Sequence, residues 1–234
     1  MWSDWKKEEK GELLKDAVYG ASDGIVTTFA IVAGVSGASL NPSIVLIMGF
    51  ANLIGDGFSM ASGNYLGTKS EQEYYASEKK RILLDLKKNQ KKYTSELRKI
   101  FEKKGFSGKL LDDTVSKIKM NRSAWVKMIL ENKEGFSDKN VNAMKSALTT
   151  FGAFVVAGLM PLVAYVLSQS LGVFKNNTFE ISIFITAITL LTVGILKASV
   201  TKKPWVTEAL QMLFVGGFAA VVAYYIGYVV SLLV

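Results

Sequence analysis

The chain has 234 residues, half of them apolar, with 28 Lys and Arg against 20 Asp and Glu, a net charge of +8, and neither cysteine nor histidine. Disulfides, thiolate metal sites, imidazole bases and Ser-His triads are thereby excluded, and metal chemistry is confined to oxygen ligands and methionine sulfur. No nucleophile-and-base pair and no nucleotide-binding loop is visible, so the sequence reads as a non-enzyme without a permanent cofactor.

The N-terminal segment MWSDWKKEEKGELLKDA alternates charge with apolar residues. It lacks the short apolar core and small-residue cleavage site of a secretory signal. Trp2, Trp5, Leu13 and Leu14 instead fit a helix at the headgroup level, with its lysines toward water or phosphate. Apolar runs follow at about 17–37, 42–66, 147–170, 181–196 and from about 205 onward. Each approaches or exceeds the roughly 20 residues a helix needs to cross about 30 Å of hydrocarbon. The prediction is an all-α membrane protein with five transmembrane helices.

Between the second and third runs, residues 65–145 hold 20 of the 28 basic residues against 11 acids. This predicts a small, basic, helical cytoplasmic domain. Residues 69–104 are nearly free of glycine and proline and read as one helix stopped by KKG at 103–105. Two shorter helical patterns follow from Ser107 to Leu130, with Leu110, Val115, Ile118, Trp125, Met128 and Ile129 as their apolar positions. The chain thus divides into 1–66 (interfacial helix and spans one and two), 67–145 (basic domain) and 146–234 (spans three to five).

Basic residues in short loops stay cytoplasmic. The tail (Lys6, Lys7, Lys10), the basic domain and the connection with Lys197, Lys202 and Lys203 are separated by even numbers of spans. All three are expected on the cytoplasmic side, with the C-terminus on the far side. The basic excess reads as this signal plus attraction to anionic lipid. No motif points to nucleic acid.

Two acids fall inside the apolar runs. Asp23 lies in YGASDGIVTTFAIVAG, and Asp56 lies in GFANLIGDGFSM. An intramembrane acid is costly and is a functional candidate by default. Asn52, Asp56 and Met60 follow one another at intervals of four, which stacks them on one helix face. Oxygen plus thioether suits a borderline divalent metal such as Fe²⁺ or Mn²⁺, whereas Mg²⁺ and Ca²⁺ prefer oxygen alone. The candidate metal residues are therefore Asp23, Asn52, Asp56 and Met60. Interhelical hydrogen bonding accounts for Asn52 as well, ordinary packing for Met60, and a cap or hydrogen bond at a helix broken near Gly55 and Gly57 for Asp56. Gly49, Gly55, Gly57 and Gly63 leave room for a neighbouring helix. Glu71, Glu78 and Asp85 recur every seven residues and, with Glu96, form a candidate cytoplasmic access path for cations. A solvated face paired with Lys79, Lys80 and Arg81 is the other reading.

DAVYGASDGIVTTFAIVAGVSGA and GFANLIGDGFSMASGNYLGTKSEQEYY resemble the vacuolar iron transporter family, supported by LMPLVAY at 159–165 and GGFAAVVAYYIG at 216–227. The resemblance implies a homodimer with five spans per subunit and a path at its centre lined by the first spans. It also implies export of Fe²⁺ from the cytosol in exchange for protons. By that match Asp23 and Met60 fall on ion-path positions. Asn52 falls where plant members carry a glutamate, and Asp56, one turn on, is expected to supply a charge in its place. Members that hold iron in the cytoplasmic domain use a cluster of glutamates and a methionine. The matching positions here are Ile82, Asp85, Tyr93, Glu96, Ile129 and Lys133, so only two keep an acid.

The expected function is transport of Fe²⁺ or Mn²⁺, as substrate, across a vacuole-like membrane or the plasma membrane of a prokaryote. The alternative is a dimeric membrane scaffold or sensor whose basic domain binds lipid or protein. Gly34, Gly37 and Ala38, with the glycines of the second span, are the expected close contacts between subunits.

Overall fold

The computed structural model describes residues 2–133, 141–172 and 175–233, without the side chains of 2–8 and 133. It consists of eight helices among those residues: α1 (Trp2–Gly37), α2 (Pro42–Lys88), α3 (Gln90–Lys103), α4 (Gly108–Met120), α5 (Arg122–Lys133), α6 (Ala143–Leu171), α7 (Thr178–Thr201) and α8 (Trp205–Ser231). Five of them, α1, α2, α6, α7 and α8, are long and apolar enough to cross a membrane. The N-terminal segment is the uninterrupted beginning of α1 and not a separate helix. The side chains of Trp2 and Trp5 lie outside the described residues.

The chain forms two compact units, one of residues 1–66 with 141–234 and one of residues 67–140. In the first, α1 packs against α6, α7 and α8. The reason is legible in its glycines. A Cβ at Gly20 or Gly24 would fall on the backbone of Thr150 or Phe154 in α6, and one at Gly158 would meet the Gly24 carbonyl at 2.8 Å. Small residues one turn apart thus let two backbones touch, the form of contact that holds helices together where no hydrophobic effect separates lipid from leucine.

The far end of α1 uses the same device against α8. A Cβ at Gly37 would strike the Tyr224 backbone, and one at Gly227 would strike Gly34. Gly34, Gly37 and Ala38, expected to meet a second subunit, thus lie against α8 of the same chain. The sequence shows that a close contact exists, but not with which helix. Further cross-links are polar. Ser182 donates to the Pro161 carbonyl at 2.6 Å, and Ser36 and Tyr165 share a hydrogen bond of 3.1 Å.

One polar group hidden in the fifth apolar run escaped the sequence reading. Glu208, in the first turn of α8, is only 1% exposed. Its carboxylate meets Lys197 of α7 at 2.7 Å and Lys203 at 3.6 Å, while a Cβ at Gly194 would contact the Ala209 backbone at 2.5 Å. Close backbone contact and ion pairing therefore coincide where α7 turns into α8.

The second unit has its own apolar core. Ile82 and Leu86 from the end of α2 pack with Tyr93, Leu97 and Phe101 of α3, Leu111 and Val115 of α4, and Trp125, Val126, Ile129 and Leu130 of α5. The expected single helix over 69–104 is interrupted at Asn89. Its side chain donates to Asp85 at 2.7 Å, and its backbone leaves helical geometry before α3 begins. Short polar side chains that bond locally favour such breaks. In α4, Leu111 is the core residue and Leu110 is exposed, because 111 and 115 are one turn apart on the inner face.

The buried carboxylate sets a stability prediction. Lys197→Met leaves Glu208 with only its longer contact to Lys203, whereas Glu208→Gln leaves Lys197 able to reach water along its own stem. Thermal unfolding of the detergent-solubilised protein should show the larger loss, several degrees, for Lys197→Met. An equal or larger loss for Glu208→Gln would contradict this account.

Candidate functional site

The candidate site is built by one face of α1 and one of α2. Gly20 and Gly24 lock α1 onto α6. Asp23, between them in sequence, is turned off that seam and left partly buried. Thr27, one turn on, donates its hydroxyl to the Asp23 carbonyl at 2.9 Å. The same hydroxyl oxygen accepts from Asn52 Nδ2 of α2 at 3.3 Å. Asp56 follows Asn52 by one turn and is near enough to Asp23 for the two charges to act on each other. Asp23, Asn52 and Asp56 are thus brought together.

Met60 continues the same face of α2 and is partly buried. It packs against the apolar cluster containing Leu53, Phe154 and Leu162. Asn64 extends the stripe one further turn and donates to Thr150 Oγ1 of α6 at 2.7 Å. Thr150 in turn donates to the Ser146 carbonyl at 3.0 Å. Thr27 and Asn64 were both missed from the sequence, although each stands four residues beyond a residue already singled out. Of the α2 glycines, Gly57 faces Phe151 and Phe154, and Gly49 faces Leu162. Gly55 and Gly63 meet nothing within 4 Å.

The chemical character of the site lies in what its acids lack. Among the described residues, neither the Asp23 nor the Asp56 carboxylate receives a hydrogen bond or forms an ion pair. No three acidic side chains converge on one point among those residues. Two unpaired carboxylates in apolar surroundings call for a cation or a proton to offset their charge. The carboxamide oxygen of Asn52 adds a neutral donor suited to a divalent ion.

In the second unit two of the carboxylates on the candidate access path, Glu78 and Asp85, have partners. Glu78 accepts from Arg81 at 2.9 Å, and Asp85 accepts from the Tyr93 hydroxyl at 2.8 Å and from Asn89. Glu71 is exposed on α2, and Glu96 lies partly buried on α3. Of the positions matched to a metal cluster, Ile82, Tyr93 and Ile129 belong to the apolar core. The Lys133 side chain lies outside the described residues.

Comparison with known proteins bears on this arrangement. The sequence model described as "VIT family" matches residues 14–228, which include every residue of the α1 and α2 site. The chain belongs to the VIT family. It is 30% identical over 222 residues to vacuolar iron transporter 1 of Arabidopsis thaliana, covering 94% of this chain and 87% of the relative. It is 31% identical over 229 residues to the vacuolar iron transporter of Toxoplasma gondii, covering 95% and 76%. A third relative, vacuolar iron transporter 1 of Oryza sativa subsp. japonica, is 30% identical over 215 residues, covering 92% and 84%.

In this VIT-family chain the Tyr93–Asp85 pair has a defined pH signature. Burial, and then the hydrogen bond to Asp85, push the Tyr93 hydroxyl up to about 12. Donation from Tyr93, and then from Asn89, holds Asp85 below the usual carboxylate range. The raised tyrosine contributes stability that is complete below the unfolded value of about 10 and is lost as pH climbs from there to about 12. The depressed aspartate contributes stability above the usual carboxylate value and loses it as pH falls below that value. Tyr93→Phe should therefore lower the melting temperature of the full chain at neutral pH. The gap from the parent should narrow as pH rises from about 10 to about 12. A gap that is unchanged over that window would show that the hydroxyl does not carry the contribution.

Proposed function

We propose that this protein transports a divalent transition metal, Fe²⁺ foremost and Mn²⁺ as a second substrate, across the membrane that its five helices span. The observation that carries this reading is the pair of unpartnered carboxylates, Asp23 and Asp56, held beside Asn52 by α1 and α2. Membership of the VIT family supports it, as do relatives named vacuolar iron transporters. The membrane is vacuole-like or the plasma membrane of a prokaryote. The basic second unit and the N-terminus lie in the cytoplasm by the distribution of Lys and Arg.

Exchange with protons follows from the same chemistry. A carboxylate removed from water is stabilised by a proton or by a metal ion, so each displaces the other. Release on the far side is then protonation of Asp23 or Asp56. One chain supplies few donors, and a borderline metal takes more ligands than two carboxylates and an amide provide. A homodimer placing two such faces together would complete the shell. The open glycines Gly55 and Gly63, with the exposed Ile54 and Phe58, support α2 as part of that contact. Met60, one turn from Asp56, is proposed as the soft ligand that separates Fe²⁺ from Mg²⁺.

Two experiments in proteoliposomes test the reading. Asp23→Ala and Asp56→Ala should each reduce Fe²⁺ flux to that of protein-free vesicles while the protein remains folded. Near-parental flux in either variant would remove that acid from the mechanism. Met60→Leu preserves volume, so stability should change by less than about 1.5 kcal/mol, while the Fe²⁺ to Mg²⁺ flux ratio falls. An unchanged ratio in a stable variant would leave Met60 as a packing residue, in keeping with its contacts to the apolar cluster.

A further inference from the structure

The contact between Thr27 and Asn52 determines which end of a carboxamide faces the site. A threonine hydroxyl has one hydrogen and two lone pairs. Thr27 spends its hydrogen on the Asp23 carbonyl at 2.9 Å. Toward Asn52 it therefore only accepts, and the 3.3 Å contact must be donated by Nδ2. Asn52 Oδ1 is then turned away from Thr27, with no hydrogen-bond partner among the described residues. Were the amide reversed, its oxygen would face the lone pairs of another oxygen, and its NH₂ would be the group offered to an incoming cation.

We propose that Thr27 is a positioning residue that fixes the Asn52 amide so that an oxygen, and not an NH₂, is presented to the divalent cation held by Asp23 and Asp56. The proposal rests on the transport reading and adds to it a residue that does not itself touch the metal. The chain of contacts runs from the α1 backbone at Asp23, through the Thr27 hydroxyl, to the α2 side chain. It works because apolar contacts, Phe29 and Val32 of α1 in one cluster with Leu53 of α2, hold the two helices together. Partners that orient a ligand in this way typically govern metal affinity by about 10- to 100-fold.

The test is Fe²⁺ flux into proteoliposomes as a function of Fe²⁺ concentration. Thr27→Val keeps the shape and removes the hydroxyl, so KM should rise by about tenfold or more, with the maximal rate close to that of the parent. Thr27→Ser keeps the hydroxyl and should restore the parental KM. In an Asn52→Asp background both side-chain oxygens are acceptors and orientation no longer matters. Adding Thr27→Val there should change KM by less than about twofold, the signature of two residues acting through one contact. Thr27→Ala, read in the same way, serves if the valine variant does not fold.

A parental KM in Thr27→Val overturns the proposal. So does an equal loss in Thr27→Ser, which makes the methyl and not the hydroxyl the determinant, or a loss that persists in the Asn52→Asp background, which makes the hydroxyl act other than through the Asn52 amide. If the parent moves no Fe²⁺, the transport reading falls and this inference falls with it. If the parent transports and Thr27→Val is unchanged, only this inference is lost.

Discussion

The first unit depends on the contact between the backbones of α1 and α6 at Gly20, Gly24 and Gly158. No side chain could stand there, because a Cβ on either α1 glycine would overlap the α6 main chain. In hydrocarbon, where burying a leucine against another helix gains little over leaving it in lipid, such close contact is what holds helices together. It also sets rotation. With Gly20 and Gly24 against α6, and Gly37 against α8, α1 has one rotational setting, and in that setting Asp23 and Thr27 face α2.

The second helix is held by different means. Among the described residues two side-chain hydrogen bonds tie the middle of α2 to its neighbours, Asn52 to Thr27 and Asn64 to Thr150, with a third from Gln169 of α6 to Ser43 at the start of α2 and apolar contacts around Leu53 and Phe154. Interhelical hydrogen bonds in membranes contribute on the order of 1 kcal/mol each. They are therefore better at fixing register than at holding helices together. The bonds of Asn52 and Asn64 bracket Asp56 and Met60, so the groups with chemical potential lie between two points of fixed register.

Much of this was legible in the sequence, and what was not has physical reasons. Five spans follow from length and hydropathy, since apolar runs of that size have few other structures open to them. The stripe 52, 56, 60 follows from helical geometry. Thr27 escaped notice because a hydroxyl in an apolar helix commonly bonds its own backbone four residues back, and Thr27 does so. Its second role exists only once α2 lies beside it. Glu208 was masked by the apolar run around it, and its partner Lys197 belongs to the preceding helix. Gly34 and Gly37 announce a close contact, but composition does not say whether the partner is α8 or another subunit.

The acids of the two units make the functional argument by contrast. In the second unit, burying Trp125, Leu97 and Ile129 forms the core, and Glu78 and Asp85 stand at its edge with donors supplied by Arg81, Tyr93 and Asn89. Those carboxylates are complete as they are, and nothing further is needed to stabilise their charge. Glu208, far more deeply buried, is likewise matched, by Lys197. Asp23 and Asp56, each partly buried, have no such lysine among the described residues. A chain that supplies a cation to Glu208 and none to these two acids, among the described residues, leaves their charge to be balanced from outside. On the transport reading proposed above, a metal ion or a proton fills that role, and a site that can take either is one where each can be exchanged for the other.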